Sequence, residues 1–301
     1  MVLSNSVKGF LLAFLSVLAV SNVYIFSKAA LAEVSFAQFG FYWFSFGMLW
    51  IFIYGYYKKI FKKFKFLTIK NYAVLLFLGI IDIIATFYFF KSIHTVTNPA
   101  IVAFIGNLSP VLVITFGFIF LNERFNKIEF IGMLLAIVGA FVISYKWNAD
   151  FTSMFINGTQ YILLYSVFFA INGVVIKKNI SKIDPIILTI NRTVFLLFFS
   201  VMLLLYTNDS IEIPQKALTN IFIGSILGPF LTIIFAYGAL QYIPLSRKAI
   251  VDSTRGLFVL LGAYIYFGQF PSVIAIIGGF ITIGGVLLIA FGKIRMNTSK
   301  Q

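Results

Sequence analysis

The chain of 301 residues has no cysteine and a single histidine, His94. Without cysteine it has no disulfide, no thiolate metal ligand and no thiol nucleophile. One histidine is too few for a zinc cluster or for a metalloprotease helix, which needs two. No P-loop sequence is present either, so the chain by itself cannot drive a pump with ATP. We therefore expect no metal and no cofactor.

Charge is also scarce, at 11% of residues, whereas 61% are hydrophobic and 19% aromatic. The mean hydropathy is +1.02. Soluble domains are about 25% charged, and a chain with so few charges could not cover a water-exposed surface. The composition predicts an integral membrane protein with the lipid bilayer as its partner.

Long apolar runs define the secondary structure. A membrane-spanning helix needs about 20 consecutive apolar residues, and the polar stretches between such runs are too short to hold a soluble domain. The short alternating segments typical of membrane β-barrels are not seen. We predict an all-α integral membrane fold with ten transmembrane helices, near 9–30, 36–57, 71–92, 98–121, 126–145, 159–178, 184–207, 217–241, 245–267 and 272–292.

Basic residues outnumber acidic ones by 23 to 9, a formal charge of +14. In a soluble protein this excess would suggest nucleic acid, but cytoplasmic loops of membrane proteins also concentrate Lys and Arg. We expect no nucleic-acid partner and place both termini in the cytoplasm. The outer side then holds only Lys28, Lys91, Lys146 and Lys216, and the inner segments hold Lys8, Lys58, Lys59, Lys62, Lys63, Lys65, Lys70, Arg124, Lys127, Lys177, Lys178, Lys182, Arg247, Lys248, Lys293, Arg295 and Lys300.

The two halves of the chain match each other weakly at an offset near 145 to 150 residues. We predict two five-helix repeats, residues 1–147 and 148–301. Five is odd, so the second repeat enters the membrane from the opposite side, as in many secondary transporters. The matched pairs are Asn22 and Asn172, Lys28 and Lys178, Gly79 and Gly224, Pro99 and Pro244, Gly132 and Gly278, and Gly139 and Gly285.

The last two glycine pairs lie on the fifth and tenth predicted spans. Within each span the two glycines are seven residues apart and therefore share one helix face. Small residues let helix backbones approach closely in lipid. These faces either pack within the chain or form a dimer interface, so the chain is predicted to be a monomer or a homodimer.

Four sequence passages, in order, resemble the EamA family of the drug/metabolite transporter superfamily over nearly the whole chain. They are Asn107-Leu-Ser-Pro110 and Phe120-Leu-Asn-Glu123 in the first half, and Tyr237-Gly-Ala-Leu-Gln-Tyr-Ile-Pro244 and Phe267-Gly-Gln269 in the second, with the glycine pairs after them. The resemblance implies a transporter in the bacterial inner (plasma) membrane that exports amino acids or related metabolites.

The chain departs from the family pattern at three places. Arg255 stands where members often carry proline, and Gln269 stands where they often carry glutamate. The arginine common near the start of the second span appears in the second repeat as Arg192, whereas the first repeat reads Tyr42-Trp43.

Four charged residues stand out because they lie more than one helical turn inside a predicted span, namely Asp82, Arg192, Asp252 and Arg255. Such groups cost roughly 2.5–3.5 kcal/mol at mid-helix and therefore face a partner or a cavity. Asp252 and Arg255 are three residues apart, so on one helix they can pair directly. The four are either two structural ion pairs or a site in which a pair opens for a zwitterionic or anionic solute.

Asp82 is the candidate for a proton-coupling group, since burial disfavours the charged form of a carboxyl. The competing interpretation is a permanent ion pair with Arg255 or Arg192.

Uncharged side chains complete the predicted site. Pro110 and Pro229 can break helices and free backbone carbonyls for a cavity. The candidate substrate-binding residues besides the charged ones are Asn22, Asn107 and Asn172, which otherwise hydrogen-bond between helices, and Trp43, Tyr88 and Tyr237, which otherwise face lipid.

These features favour a secondary active transporter of a small polar metabolite, with protons as a possible coupling partner. An exchanger or uptake carrier for an anionic or nucleotide-like metabolite is the alternative, because of Arg192 and Arg255. A passive channel or lipid scramblase is a further candidate. An intramembrane lipid-modifying enzyme is disfavoured, since one histidine and scattered acids offer no catalytic cluster.

Overall fold

The computed structural model describes residues 5–121, 127–144 and 156–298. Every regular element in these ranges is a helix, which confirms the all-α class. Glu123, Arg124, Lys146 and Lys300, which entered the predictions above, lie outside the described residues.

The helices follow the predicted apolar runs closely. A 3-10 helix, Ile60–Phe66, follows the second helix, and a π-helical segment, Ile226–Thr232, separates the ninth from the tenth. The α-helices are α1 Asn5–Leu31, α2 Phe36–Tyr57, α3 Ile69–Thr95, α4 Pro99–Ile105, α5 Leu108–Leu121, α6 Lys127–Ser144, α7 Thr159–Asn179, α8 Pro185–Thr207, α9 Gln215–Ser225, α10 Ile233–Tyr242, α11 Leu245–Asp252, α12 Arg255–Phe267 and α13 Val273–Thr298.

Eight helical stretches in the described part of the chain are long and apolar enough to cross a membrane. They coincide with eight of the predicted spans. The fifth and tenth predicted spans coincide with two shorter apolar stretches, Phe130–Val142 and Val273–Gly285. The total of ten spans therefore stays a prediction.

Local sequence explains where two of these helices begin. Asn98 and Asp184 each stand directly before a proline at the first helical position, where a missing N–H costs nothing. The Asn98 side chain accepts a hydrogen bond from the backbone N–H of Ala100, and Asp184 accepts one from Ile186, both at 2.9 Å. These caps satisfy N–H groups that the first turn leaves unbonded.

The chain folds into two compact units, each built from both halves of the sequence. Unit 1 comprises Met1–Thr86 and Val175–Ile243, and unit 2 comprises Phe87–Val174 and Pro244–Gln301. Two of the three boundaries fall inside α3 and α7, and the third falls between α10 and α11.

In unit 1, α2 packs against α8. A Cβ atom on Gly40 would lie 2.7 Å from the Ser200 hydroxyl oxygen, and one on Gly47 would lie 3.8 Å from a Thr193 methyl. The later residue of α2 therefore contacts the earlier residue of α8, so the two helices run antiparallel. They occupy the same place in the two predicted repeats.

In unit 2, α6 packs against α13 in the same manner. A Cβ atom on Gly139 would lie 2.6 Å from the Gly278 carbonyl oxygen, and one on Gly285 would lie 2.5 Å from that of Gly132. Only glycine permits this approach. The glycine faces therefore pack within the chain, as the first of the two interpretations predicted.

Two membrane-length helices of unit 2 are interrupted at related positions. The first breaks between α4 and α5 at Gly106 and Asn107, and the second breaks between α11 and α12 at Ser253 and Thr254. Since α4 packs on α12 and α5 packs on α11, the two broken helices run antiparallel and cross near their breaks.

Candidate functional site

The centre of unit 1 contains a buried ion pair between α3 and α8. The Arg192 Nη1 atom donates to the Asp82 carboxylate. The Asp82 side chain is 4% exposed and that of Arg192 is 19% exposed. Asp82 therefore has Arg192 as its partner, one of the two arginines that the sequence offered.

Two further groups complete this cluster. Thr86 lies one turn after Asp82 on α3, and its hydroxyl accepts a hydrogen bond from the Arg192 Nη2 atom at 2.8 Å. The Tyr237 hydroxyl on α10 is hydrogen-bonded to Arg192 and lies close to Asp82. A guanidinium has only donors, so Tyr237 accepts from it. We call Asp82, Thr86, Arg192 and Tyr237 the Arg192 cluster.

Close contacts along α3 and α8 hold the cluster in place. The Asn191 side-chain amide donates to the Leu75 carbonyl at 2.9 Å, and Gly79 lies directly beneath the Phe195 ring. With Asp82 these contacts follow one face of α3 at intervals of three to four residues, the spacing of one helix face.

The Arg192 cluster is electrically neutral and mostly buried, with Arg192 the most exposed of its four residues. Coulombic attraction is stronger in such surroundings than at a surface. Removing one partner would leave a buried charge uncompensated, whereas exchanging it for another charged group would not. Exchange of both partners at once would therefore need a solute that supplies a carboxylate to Arg192 and a cation to Asp82.

Arg255 in unit 2 has a different partner. It is 3% exposed, and its Nη2 atom donates to the Gly106 carbonyl oxygen at 3.0 Å. In a regular α-helix that carbonyl would accept from the N–H of residue 110, but Pro110 has none. The Gly106 carbonyl accepts instead from the backbone N–H of Ser109, at 3.0 Å, and from Arg255.

Asp252 forms an ion pair with Lys248 one turn before it, at 2.6 Å, and both side chains are nearly buried. The sequence suggested a direct pair of Asp252 with Arg255 on one continuous helix, but α11 ends at Asp252 and α12 begins at Arg255. Lys248 was assigned to an inner loop and was missed as a buried charge. Its spacing of four residues from Asp252 was the available signal.

The three predicted asparagines have different surroundings. Asn22 is exposed and donates to the Leu18 carbonyl of its own helix at 2.9 Å. Asn172 is 6% exposed, and its side-chain nitrogen has no hydrogen-bond partner. Asn107 is fully buried, and neither its side-chain nitrogen nor its oxygen has a partner.

The predicted aromatic residues lie apart from one another. Trp43 is 1% exposed and packs against Gly224 and Gly228, as a core side chain does. Tyr88 is half-buried and stacks on Tyr161, with ring centroids 6.1 Å apart. Of the three, Tyr237 alone belongs to the Arg192 cluster.

Comparison with known proteins supplies the family. Residues 7–145 and 156–291 each match the EamA-like transporter family. The chain belongs to the EamA-like transporter family. With its apolar helices, this makes it a multi-pass membrane protein.

A solved crystal structure shares the fold of this EamA-like transporter. It superposes with a TM-score of 0.69 at 13% sequence identity, and the match covers 95% of this chain and 97% of the other. No curated protein matches the chain.

The charged residues deep within the transporter's membrane-length helices thus fall in two places. Unit 1 brings together Asp82, Arg192 and Tyr237, and adds Thr86, whose position four residues after Asp82 was its only sequence signal. Unit 2 holds Asn107, Asp252 and Arg255 near the helix breaks. Among the described residues, no group of three His, Asp or Glu side chains could hold a metal ion.

Proposed function

We propose that this chain is a secondary active transporter that exports a small polar metabolite, an amino acid or a related solute, by alternating access between two inverted repeats. The observation that carries the proposal is the buried, neutral Arg192 cluster within membrane-length helices.

An amino acid carries both charges of the Asp82–Arg192 pair. Its carboxylate can replace Asp82 on the guanidinium, and its ammonium group can replace Arg192 on the carboxylate. Arginine suits this exchange because its planar fork binds carboxylates with two hydrogen bonds. The exchange leaves no buried charge unpaired, so it avoids the large cost of separating the pair.

The packing of repeat-related helices supports alternating access. The antiparallel pairs α2 with α8 and α6 with α13 are what an inverted relation between the halves predicts. In such transporters the two repeats exchange conformations, which gives inward-open and outward-open states from one fold. The proposal includes ten spans, a bacterial inner-membrane location and cytoplasmic termini.

Asp82 is the proposed proton-coupling group. Protonation would remove the charge that holds Arg192 and release the guanidinium for the solute carboxylate. Loss of that proton would then restore the Asp82 carboxylate, which the solute's ammonium group binds. The ion pair also supports the competing interpretation, in which Asp82 is a permanent structural partner of Arg192. Transport by an Asp82→Asn variant distinguishes the two, because a coupling role requires that the pH dependence be lost.

An exchanger or uptake carrier for an anionic or nucleotide-like metabolite is the second candidate. Arg192 and Arg255 support it, since a guanidinium within a membrane-length helix can bind a carboxylate or a phosphate with two hydrogen bonds.

The test is counterflow in proteoliposomes. We expect unlabelled amino acid inside the vesicles to drive saturable entry of labelled amino acid, and Arg192→Lys to abolish most of it. Lys63→Ala is the control, because Lys63 pairs with Asp184 through an exposed side chain outside the spans. Linear, non-saturating flux would contradict a carrier, and counterflow by organic anions alone would favour the second candidate.

A further inference from the structure

The segment between α2 and α3 concentrates positive charge at one membrane surface. Residues 58–70 contain six lysines and no acidic residue. The two helices that the segment connects are both long enough to cross the membrane, so the segment itself lies at the level of the lipid headgroups. Basic loops are common on the cytoplasmic side of membrane proteins, but that preference does not dictate how the lysines are arranged.

The 3-10 helix Ile60–Phe66 places three of these lysines in a row. Because a 3-10 helix has three residues per turn, side chains three residues apart lie above one another. Lys62 and Lys65 have this spacing, and Lys59 stands one turn earlier, where its carbonyl accepts from the Lys62 N–H at 3.3 Å. At a rise of about 2 Å per residue, successive lysines are about 6 Å apart along the axis. All three are exposed, and we call them the lysine row.

No carboxylate balances the lysine row. Asp184, the acidic residue beside the 3-10 helix, accepts a hydrogen bond from Lys63 at 2.7 Å and another from the Ile186 N–H. Lys63 directly follows Lys62 and therefore lies on another side of the 3-10 helix. Within the described ranges, no member of the row forms an ion pair. Three like charges held this close repel one another, so an anion from outside the chain would stabilise them.

The backbone that carries the row is held by its neighbours. Ile60 is 1% exposed and lies against α2, where a Cβ atom on Gly55 would be 2.9 Å from the Ile60 Cγ2 atom. The Tyr72 hydroxyl on α3 donates to the Phe64 carbonyl at 3.2 Å. Lys59 has a left-handed backbone, with φ of 53°, which glycine adopts at a lower cost. The row is thus preformed, and a lysine stands where the backbone alone favours glycine.

Large apolar side chains flank the lysine row. Phe66 is 83% exposed and Ile69 is 88% exposed, and Tyr56 and Tyr57 at the end of α2 are exposed as well. Aromatic residues are enriched at membrane interfaces, where their rings lie at the headgroup level. Cations beside apolar groups fit an amphiphile, whose phosphate contacts the lysines while its chains cover the apolar groups. A free phosphate or a nucleic acid would leave the apolar groups uncovered.

We infer that the lysine row and its apolar flank bind an anionic phospholipid. The phosphodiester oxygens accept hydrogen bonds from the lysine ammonium groups, and the acyl chains pack beside Phe66 and Ile69. A zwitterionic lipid brings its own cation and is attracted less, since basic segments at the membrane surface bind net negative lipid. The inference goes beyond the proposed function and does not depend on transport.

Amine acylation tests the surface one lysine at a time. The full chain is placed in nanodiscs of phosphatidylcholine, with or without phosphatidylglycerol, and the acylation rate of each lysine is measured by mass spectrometry of its peptides. We expect phosphatidylglycerol to slow the lysine row about fivefold more than Lys182. Lys182 is the control because it is exposed and lies two residues from Asp184, which bonds Lys63 at the same membrane surface.

Thermal unfolding in the same nanodiscs tests the row with variants. The triple variant Lys59→Gln, Lys62→Gln and Lys65→Gln should lose most of the rise in Tm that phosphatidylglycerol gives the wild type. The matched variant Lys8→Gln, Lys127→Gln and Lys182→Gln removes the same charge from three other segments and should keep that rise.

The single variant Lys59→Gly separates binding from folding. It should raise the Tm in phosphatidylcholine, because glycine adopts the left-handed backbone readily, and should show a smaller further rise with phosphatidylglycerol. A lowered Tm in phosphatidylcholine together with an unchanged further rise would make Lys59 a structural residue and contradict the inference.

Three other results would overturn the inference. Equal slowing of Lys182 and the row would mean a general effect of the charged surface, and equal loss of the Tm rise in both triple variants would mean an effect of net charge. Equal stabilisation by inorganic phosphate or by an oligonucleotide, in phosphatidylcholine nanodiscs, would assign the row to a free anion or to nucleic acid. None of these measures transport, so the proposed function is tested separately by proteoliposome counterflow.

Discussion

The two arginines within membrane-length helices of this transporter, Arg192 and Arg255, have hydrogen-bond partners of opposite kinds. Arg192 in unit 1 donates to the carboxylate of Asp82, whereas Arg255 in unit 2 donates to the backbone carbonyl of Gly106. The first partner is a charged side chain, which under the proposed function a solute replaces. The second is a neutral backbone carbonyl at a helix break, which also accepts from the Ser109 N–H.

The different partners indicate different roles for Arg192 and Arg255. The Arg192 cluster is balanced and exchangeable, which suits a solute that enters and leaves. The Arg255 bond is a fixed contact that joins two broken helices and holds a positive charge at their crossing. A family resemblance that treats every buried arginine as a substrate ligand would miss this distinction.

The largest expected loss of stability follows from removing the Asp82–Arg192 ion pair. Arg192→Met leaves the Asp82 carboxylate buried without its cation, and we expect a loss of about 3 kcal/mol in the free energy of unfolding. Thermal unfolding of the purified protein measures it. The double variant Asp82→Asn with Arg192→Met should recover most of this stability but not transport. If the double variant is as unstable as the single one, the pair is not the source of the loss.

A smaller loss of stability is expected when the bond from Arg255 to the Gly106 carbonyl is removed. Arg255→Met removes one donor from the Gly106 carbonyl and should cost about 1–3 kcal/mol. Pro110→Ala restores an N–H that can bind the same carbonyl, so the cost of Arg255→Met should fall by about 1 kcal/mol in that background. A double-mutant cycle on the unfolding free energy measures this coupling. Strictly additive effects would contradict the interpretation that an N–H at residue 110 and the Arg255 guanidinium can each donate to the Gly106 carbonyl.

The smallest expected loss of stability comes from removing the hydrogen bond between Arg192 and Thr86. Thr86→Val keeps the shape of the side chain but removes the hydroxyl that accepts from Arg192, and should cost about 0.5–1.5 kcal/mol in unfolding free energy. Thr95→Val is the control, because the Thr95 hydroxyl is exposed and bonds only its own helix, at the Lys91 carbonyl. An equal loss in both variants would mean that the Thr86 bond to Arg192 adds nothing measurable.

Several features of the site could be predicted from the sequence. Asp82, Arg192 and Arg255 stand out because charge inside an apolar run is costly, and Pro110 stands out because it lacks an N–H. Thr86 and Lys248 were missed, although each lies four residues from a carboxylate that had been identified. In an apolar run a threonine is unremarkable, and a lysine near the end of a span is easily assigned to the loop.

The pairings themselves were beyond the sequence. Asp82 and Arg192 are separated by 110 residues, and Gly106 and Arg255 by 149. Which residues meet across such distances depends on how each helix is rotated about its axis. Helices that are apolar on every side give no periodic signal of the face that meets a neighbour.

The sequence by itself determined the membrane class, the positions of the helices and the short set of buried charges, because burying charge or exposing apolar surface is expensive at every position along the chain. Tertiary structure alone decided that Asp82 pairs with Arg192, that Asp252 pairs with Lys248, and that Arg255 binds a backbone carbonyl. These choices follow from where the helices break and cross, and a break of two residues redirects every side chain beyond it.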